Sequence, residues 1–259
     1  MDHFPGNWGQ PLSRDPHVVS STDWFPGPGR AAAEPIARTQ QPMVTGTSVL
    51  GIKYKDGIMI AADTLASYGS LARFRDVKRI ISVGENTIIG ASGDISDLQH
   101  IEHMLETVMI KEYCVDDGHT LYPKHIYEYL SRVMYNRRTS MNPLWNSLVV
   151  GGVRNGEKFL GFVDLQGTTY QASTIATGYG AYIGQPILRK AVEGREDEIT
   201  EEEAVKIMDD CMRVLWYRDA RSSPKIQRAT VTAAGITVTE PYELTTEWGF
   251  AENIKGYGA

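Results

Sequence analysis

The order of strand-like and helix-like segments is the feature of this sequence that most limits its fold. Two pairs of short β-rich runs come first, then two amphipathic helices, three more runs, two further helices and a final pair of runs. Short turns containing glycine join most neighbouring runs, so neighbours should pair antiparallel. Strand blocks separated by helix pairs predict two sheets packed face to face with helices outside, which is an α+β sandwich of four layers.

The predicted strands are residues 48–54, 58–63, 79–83, 87–92, 147–153, 159–164, 168–172, 227–233 and 236–239. Apolar residues at helical spacing define three helices, and residues 186–192 are predicted as a fourth. The three faces are Leu98, Ile101, Leu105 and Val108; then Ile126, Leu130, Val133 and Met134 after Pro123; then Ala204, Met208, Cys211 and Leu215. Thr200 and Glu203 predict a capping box before the last face, and Gly57 is expected to supply a positive φ in the first hairpin turn.

Composition and charge exclude several classes of protein. The chain has 259 residues, of which 42% are apolar, as expected for one globular domain with a full core. A net charge of −6 gives no electrostatic case for binding nucleic acid, and no apolar run approaches the ~20 residues that span a bilayer. Only Cys114 and Cys211 occur, so a disulfide framework is excluded and a location in the cytoplasm and nucleus is expected.

The N-terminal segment differs in composition from the rest. Seven of the twelve prolines lie in residues 1–42, interleaved with glycine and polar residues. This composition predicts an extended leader over residues 1–38. Composition alone does not separate a removable propeptide from a tail without function.

Thr47 follows Gly46 at the start of the first predicted hairpin. If the chain were cut before such a threonine, its hydroxyl could attack an acyl carbon while the freed α-amine took the proton. The simpler interpretation is a threonine that opens a strand, as β-branched residues commonly do. The dipeptide alone favours the simpler interpretation.

Two other patterns carry no site. His100 and His103 lack the i, i+4 spacing that directs two histidines toward one metal ion, so no metal is predicted, and no cofactor either. Gly178, Gly180 and Gly184 resemble a nucleotide-binding loop, but the spacing is one residue too long and the βαβ setting is absent, so a strand-to-helix turn is predicted.

Four longer blocks resemble one family. They are residues 39–47 (TQQPMVTGT), 67–71 (SYGSL), 141–146 (MNPLWN) and 217–223 (YRDARSS). Through these blocks the chain resembles β subunits of the 20S proteasome, and the resemblance covers nearly all of this sequence from Thr39 to Gly258. The resemblance implies the αββα fold of N-terminal nucleophile hydrolases, in which active members are threonine peptidases matured by removal of a propeptide.

The resemblance also implies which positions correspond to the catalytic ones. Thr47 matches the nucleophile, Asp63 an aspartate, and Asp219 with Ser222 a later pair. Arg79 stands where active members have lysine, and Pro143 falls near the position of a helping serine. Because arginine stays charged and does not relay a proton, the positions are expected to be remnants of an inactive site.

The predicted processing site leads to the same conclusion. The resemblance implies a mature chain that begins at Thr39, after Arg38, trimmed by a neighbouring active subunit. Residues 39–46 would then remain attached, and Thr47 would keep an amide nitrogen instead of a basic amine.

The function expected is therefore that of a non-catalytic structural subunit, which completes the β ring and supports assembly and ring docking for ubiquitin- and ATP-dependent protein degradation. An active threonine endopeptidase and a free-standing N-terminal nucleophile amidohydrolase are the alternatives. The expected partners are homologous α and β subunits in stacked heptameric rings, together with assembly chaperones. The resemblance implies that the C-terminal tail, residues 240–259, reaches the opposite β ring, and its aromatic and apolar residues Trp248, Phe250, Ile254 and Tyr257 are the expected contacts. A tail folded back on its own domain is the alternative.

Overall fold

A computed structural model describes residues 41–251. Two sheets and four helices make up this part of the chain, and every strand pairing in it is antiparallel. The helices are α1 (Ile95–Val115), α2 (Pro123–Thr139), α3 (Gly180–Val192) and α4 (Glu201–Arg218). The strands are β1 (Val44–Gly46), β2 (Val49–Tyr54), β3 (Gly57–Asp63), β4 (Ala66–Tyr68), β5 (Leu71–Phe74), β6 (Ile80–Val83), β7 (Thr87–Asp94), β8 (Asn146–Arg154), β9 (Glu157–Asp164), β10 (Thr169–Gln171), β11 (Thr174–Ala176), β12 (Lys225–Thr232), β13 (Gly235–Val238) and β14 (Tyr242–Glu243).

The strands divide into a sheet of eight and a sheet of six. The larger sheet has the order β10-β9-β8-β7-β1-β4-β5, with β6 paired to the other end of β7. The smaller has the order β11-β2-β3-β12-β13, with β14 paired to β12. The two predicted N-terminal hairpins therefore lie in different sheets, β2–β3 in the smaller and β6–β7 in the larger.

Three buried clusters show how the layers stack. One cluster, with Val49, Ile60 and Val149 among its members, lies between the two sheets. A second packs α1 and α2 on the outer face of the larger sheet, and a third packs α3 and α4 on the outer face of the smaller sheet. The predicted sandwich of four layers is confirmed.

The structure corrects several details of the predicted elements. The third helix begins at Gly180, six residues before the predicted start, and Pro186 lies inside it. The predicted strand at 168–172 is shorter, and β1, β4, β5, β11 and β14 were not predicted at all. Each of the five has two to four residues, too few for a periodic signal, and exists because of partners distant in sequence.

Two local predictions, a positive φ at Gly57 and a capping box of Thr200 with Glu203, are not confirmed as made. Gly57 does not have a positive φ; a Cβ there would lie 1.9 Å from the carbonyl oxygen of Val231, so close approach of β12 requires glycine. Thr200 does cap α4, because its Oγ1 accepts the N–H of Glu203. The Glu203 carboxylate pairs with Arg195 instead of completing the predicted capping box.

Candidate functional site

Thr47 lies between β1 and β2, where the chain leaves the larger sheet and enters the smaller one. Its Oγ1 donates a hydrogen bond of 2.6 Å to Oδ2 of Asp219, at the end of α4. The following backbone is fixed from the other side, because Val49 N donates to Oγ1 of Thr177 at 2.9 Å. The hydroxyl of Thr47 is therefore held by a carboxylate.

Arg79 is the most constrained side chain of the site. It is fully buried, and each of its five N–H donors has an acceptor. Nε donates to the carbonyl of Asp63 at 3.0 Å, and the two terminal nitrogens donate to the carbonyls of Thr47 (2.8 Å), Ser48 (3.0 Å) and Ala91 (3.0 Å) and to the Asp63 carboxylate. The guanidinium therefore ties β3 and β7 to the segment that contains Thr47.

Gly46 is required by the position of Arg79. A Cβ on Gly46 would lie 2.3 Å from Cδ of Arg79 and 2.8 Å from its Nε. The sequence alone showed only that this glycine precedes Thr47. The structure gives it a packing role, since any larger residue would displace the guanidinium.

Asp63 is buried beside Arg79. Among the described residues, the Thr47 hydroxyl is hydrogen-bonded to Asp219 and not to Asp63. Burial raises the pKa of Asp63 to about 6, although the charge and hydrogen bonds of Arg79 act in the opposite direction. The neighbouring Asp219 carboxylate adds to the increase. Two carboxylates and one fixed cation thus surround the start of β2.

The pair Asp219 and Ser222 forms the turn that follows α4. Oγ of Ser222 donates to the carbonyls of Asp219 at 2.7 Å and Leu215 at 3.2 Å, and Arg221 N donates to the Asp219 carboxylate at 2.9 Å. The structure therefore brings Asp219 to Thr47, while Ser222 bonds to the turn that presents it.

The turn Gly178–Tyr179–Gly180 is the part of the site that the sequence did not assign. Gly178 has φ +59°, and a Cβ there would lie 3.4 Å from Ser48 N. Gly180 N donates to Oγ of Ser48 at 2.8 Å, which joins the start of α3 to the residue after Thr47. The predicted strand-to-helix turn is confirmed, and the close glycine spacing was the signal that it packs against another backbone.

A cleft of about 460 Å³ opens beside Thr47. Gly93, Trp145, Tyr179, Tyr182 and Arg221 are among the residues that line it. Thr47 and Tyr179 both line this cleft, whereas Pro143 is not among the residues that line it.

Strand β1 immediately precedes Thr47 in the chain and lies between β4 and β7 in the larger sheet. Thr45 pairs with Ser67 on one side and with Asp94 on the other, and Gly46 pairs with Gly93. The backbone N–H of Met43 donates to Oδ2 of Asp94 at 2.8 Å. The segment before Thr47 is thus built into the sheet.

The remaining predicted site residues lie elsewhere or outside the described range. Trp248 and Phe250 pack edge-on against Tyr217 of α4, with ring centroids 5.0 and 5.1 Å away. Arg38, Thr39, Ile254 and Tyr257 lie outside the described residues. Within residues 41–251 no cluster of three potential metal ligands occurs, and none of the helices there is long and apolar enough to cross a membrane.

The chemistry open to this arrangement is limited by its charges. The Thr47 hydroxyl has a carboxylate for a partner, and the only cation bonded to the Thr47–Ser48 backbone among the described residues is an arginine whose donors are all used. Arginine keeps its proton at physiological pH, so it cannot take a proton from the hydroxyl or return one to a leaving group.

Comparison with known proteins assigns the family. The family model described as proteasome subunit matches residues 43–231. Proteasome subunit beta type-4 of Xenopus laevis is 52% identical over 233 residues, which cover 90% of this chain and 94% of that protein. Probable proteasome subunit beta type-7 of Schizosaccharomyces pombe is 52% identical over 86% of this chain and 87% of its own.

Proteasome subunit beta type-7 of Saccharomyces cerevisiae is 45% identical over 267 aligned residues, which cover 100% of this chain and 98% of that protein. The two-sheet sandwich described above agrees with the N-terminal nucleophile hydrolase fold expected from the sequence. The chain therefore belongs to the proteasome subunit family, and the relatives that it resembles over most of its length are β subunits called type 4 in one naming and type 7 in the other.

Proposed function

We propose that this chain is a non-catalytic β subunit of the 20S proteasome core, with an architectural role in the β ring. The observation that carries the proposal is the complete use of the Arg79 guanidinium. Its five donors bind four backbone carbonyls and the Asp63 carboxylate, and none is left to act on the Thr47 hydroxyl. The residue acts as a structural clamp at a position where a peptidase needs a proton carrier.

The comparison of arginine with lysine explains why the substitution matters. A lysine ammonium can lose its proton when neighbouring charge and burial lower its pKa, and it can then assist a hydroxyl nucleophile. A guanidinium remains charged in the same surroundings. Loss of one acid–base group typically reduces the rate of a reaction by about 10²- to 10⁴-fold.

The proposal is tested by Thr47→Ala in assembled particles. We expect every peptidase activity of the particle to stay within error of wild type, and no label on this subunit from a threonine-directed covalent inhibitor. Thr47→Ser keeps the hydroxyl and serves as the matched control. Loss of one activity in Thr47→Ala but not in Thr47→Ser, or labelling of Thr47 in the wild type, would support the alternative of an active threonine endopeptidase.

Membership of the family supports assembly with other proteasome α and β subunits in rings. We further propose that the C-terminal tail contacts the opposite β ring, that assembly chaperones guide incorporation, and that the particle works in cytoplasm and nucleus. Trp248 and Phe250, near the end of the described residues, pack on Tyr217 of α4 and remain partly exposed, so part of each ring is available to a partner.

Deletion of residues 254–259 tests the contact between rings. The expected result is an increase in the half-particle fraction on native gels, with unchanged amounts of the truncated subunit in half-particles. A normal ratio of full to half particles would count against the tail contact. Cell fractionation of the tagged subunit tests the proposed location.

A further inference from the structure

In the described chain before Thr47, hydrogen bonding of the backbone begins at Met43, although the side chain of this residue is exposed. Gln41 and Pro42 are exposed and belong to no strand. The N–H of Met43 is bonded to the Asp94 carboxylate, and β1 begins at the next residue with partners on both sides. Any process that requires this segment in a free extended form must therefore stop near Met43 or first detach β1.

Asp94 divides its two carboxylate oxygens between two tasks. Oδ1 caps α1 by accepting the N–H groups of Ser96 at 2.8 Å and Asp97 at 3.2 Å. Oδ2 accepts the N–H of Met43 at 2.8 Å. The residue is 4% exposed, so water competes little for either oxygen. Hydrogen bonds to an ionised, buried acceptor are among the stronger ones in proteins.

Proteolysis in a folded protein depends on local opening. A peptidase must bind the residues on both sides of the bond that it cuts as an extended strand, and a segment paired in a sheet becomes available only when it detaches. Thr45 is paired to two strands at once, and Met43 is anchored ahead of it. Bonds next to this anchor are therefore protected from cleavage.

We propose that Asp94 is a positioning residue that sets the inner limit of N-terminal trimming in this subunit. Endopeptidase subunits of the same particle would hydrolyse a peptide bond upstream of Met43. The carbonyl carbon gains the water oxygen as a new carboxyl group, and the released nitrogen takes the proton and becomes the α-amine of the shortened chain. The inference rests on the proposed function, because the anchor keeps Thr47 from becoming the first residue.

The predicted cut between Arg38 and Thr39 fits this limit. Four residues, 39–42, would lie between the cut and Met43, and a peptidase could bind them on the amine side of the bond. The limit itself does not depend on Arg38, since it comes from the anchor and would apply to any cut in the leader.

Asp94→Asn separates the two tasks of the residue. Asparagine caps helices about as well as aspartate, so its one oxygen can serve α1, while its amide group cannot accept the Met43 N–H. We expect the wild-type subunit from purified particles to begin at or before Met43 by intact mass. We expect Asp94→Asn to add forms shortened into residues 44–47. Thr200→Ala, which removes the cap of α4 away from the segment, should leave the terminus unchanged.

Each result has a separate meaning. Identical termini at or before Met43 in the wild type and in Asp94→Asn would overturn the role of Asp94 and leave the proposed function standing. A wild-type chain that begins at Thr47 would overturn the limit and the non-catalytic assignment together. Shortened forms in Thr200→Ala as well would show general destabilisation, and would overturn a specific role for Asp94.

Hydrogen exchange in wild-type particles tests the anchor without a variant. The Met43 amide should exchange at least about tenfold more slowly than that of Gln41, because a hydrogen bond to a carboxylate must open first. Equal rates at the two amides would overturn the proposal even if the variant failed to assemble.

Discussion

Arg79 shows how a fully buried charge is accommodated when each of its hydrogen-bond donors has an acceptor. Removing an ion pair from water costs several kcal/mol per ion unless the remaining hydrogen-bonding groups are satisfied. Here the five donors of the planar guanidinium meet the backbone carbonyls of residues 47, 48, 63 and 91 and the Asp63 carboxylate. The cost of burial is offset by bonds that also fix the junction between the two sheets.

Arg79→Lys should therefore destabilise the junction without creating activity. Lysine has three donors on one nitrogen and cannot reach all five acceptors, so at least two buried oxygens lose their partners. Because each unsatisfied buried group costs about 1–3 kcal/mol, we expect the free energy of local opening at β2 and β7 to fall by roughly 2–4 kcal/mol. Hydrogen exchange of the β2 and β7 amides in assembled particles measures this free energy.

Lys78→Arg provides the matched control, because Lys78 is exposed and next in sequence. It should leave exchange at β2 and β7 unchanged. Exchange in Arg79→Lys equal to wild type would mean that a lysine satisfies the same carbonyls, and a new peptidase activity in that variant would contradict the clamp role directly.

At the scale of elements, sequence patterns predicted the long strands and helices but not the short strands. The face of α1 was predicted from Leu98, Ile101 and Leu105, which are all buried. Strand β1 carried no such signal, since its three residues depend on pairing with β4 and β7. The predicted helix began at Pro186, whereas α3 begins at Gly180 and accommodates the proline in its interior.

The candidate site, too, was predicted from the sequence only in part. The candidates Thr47, Asp63, Arg79 and Asp219 came from the resemblance, and the structure brings them together. What the sequence did not contain was the partner of each donor. That Ser222 bonds to its own turn, and that Gly46 makes room for Arg79, are facts of three-dimensional proximity.

Gly46→Ala tests whether β1 and Arg79 depend on each other. The added methyl would overlap Cδ of Arg79, a side chain fixed by five hydrogen bonds, so β1 should shift away from β4 and β7 at a cost of about 1–3 kcal/mol. The measurement is hydrogen exchange at residues 43–46. Gly249→Ala is the control, because a Cβ there meets nothing within 4 Å. Unchanged protection in Gly46→Ala would show that the guanidinium can move.

At the scale of the whole molecule, three glycines control the distance between the two sheets. Gly51 lies in the smaller sheet, and Gly90 and Gly151 lie in the larger one. A Cβ on any of them would come within 2.6–2.9 Å of a side chain from the opposite sheet. The sheets therefore meet backbone against side chain at these points, and the central layer is thinner than a layer of side chains on both faces would allow.

Gly51→Ala with Val149→Ala tests this packing by compensation. The new methyl would lie 2.9 Å from Cγ1 of Val149, so Gly51→Ala alone should cost about 1–3 kcal/mol through overpacking. Val149→Ala alone should cost about 2 kcal/mol through lost burial and a cavity. In the double variant one methyl takes the space left by the other, so its cost should fall below the sum of the single costs by roughly 0.5–3 kcal/mol. The slowest-exchanging amides of β2, β3 and β8 in purified particles report these free energies. Additive costs would mean that the sheets separate to accept the methyl, and that the glycines do not set their spacing.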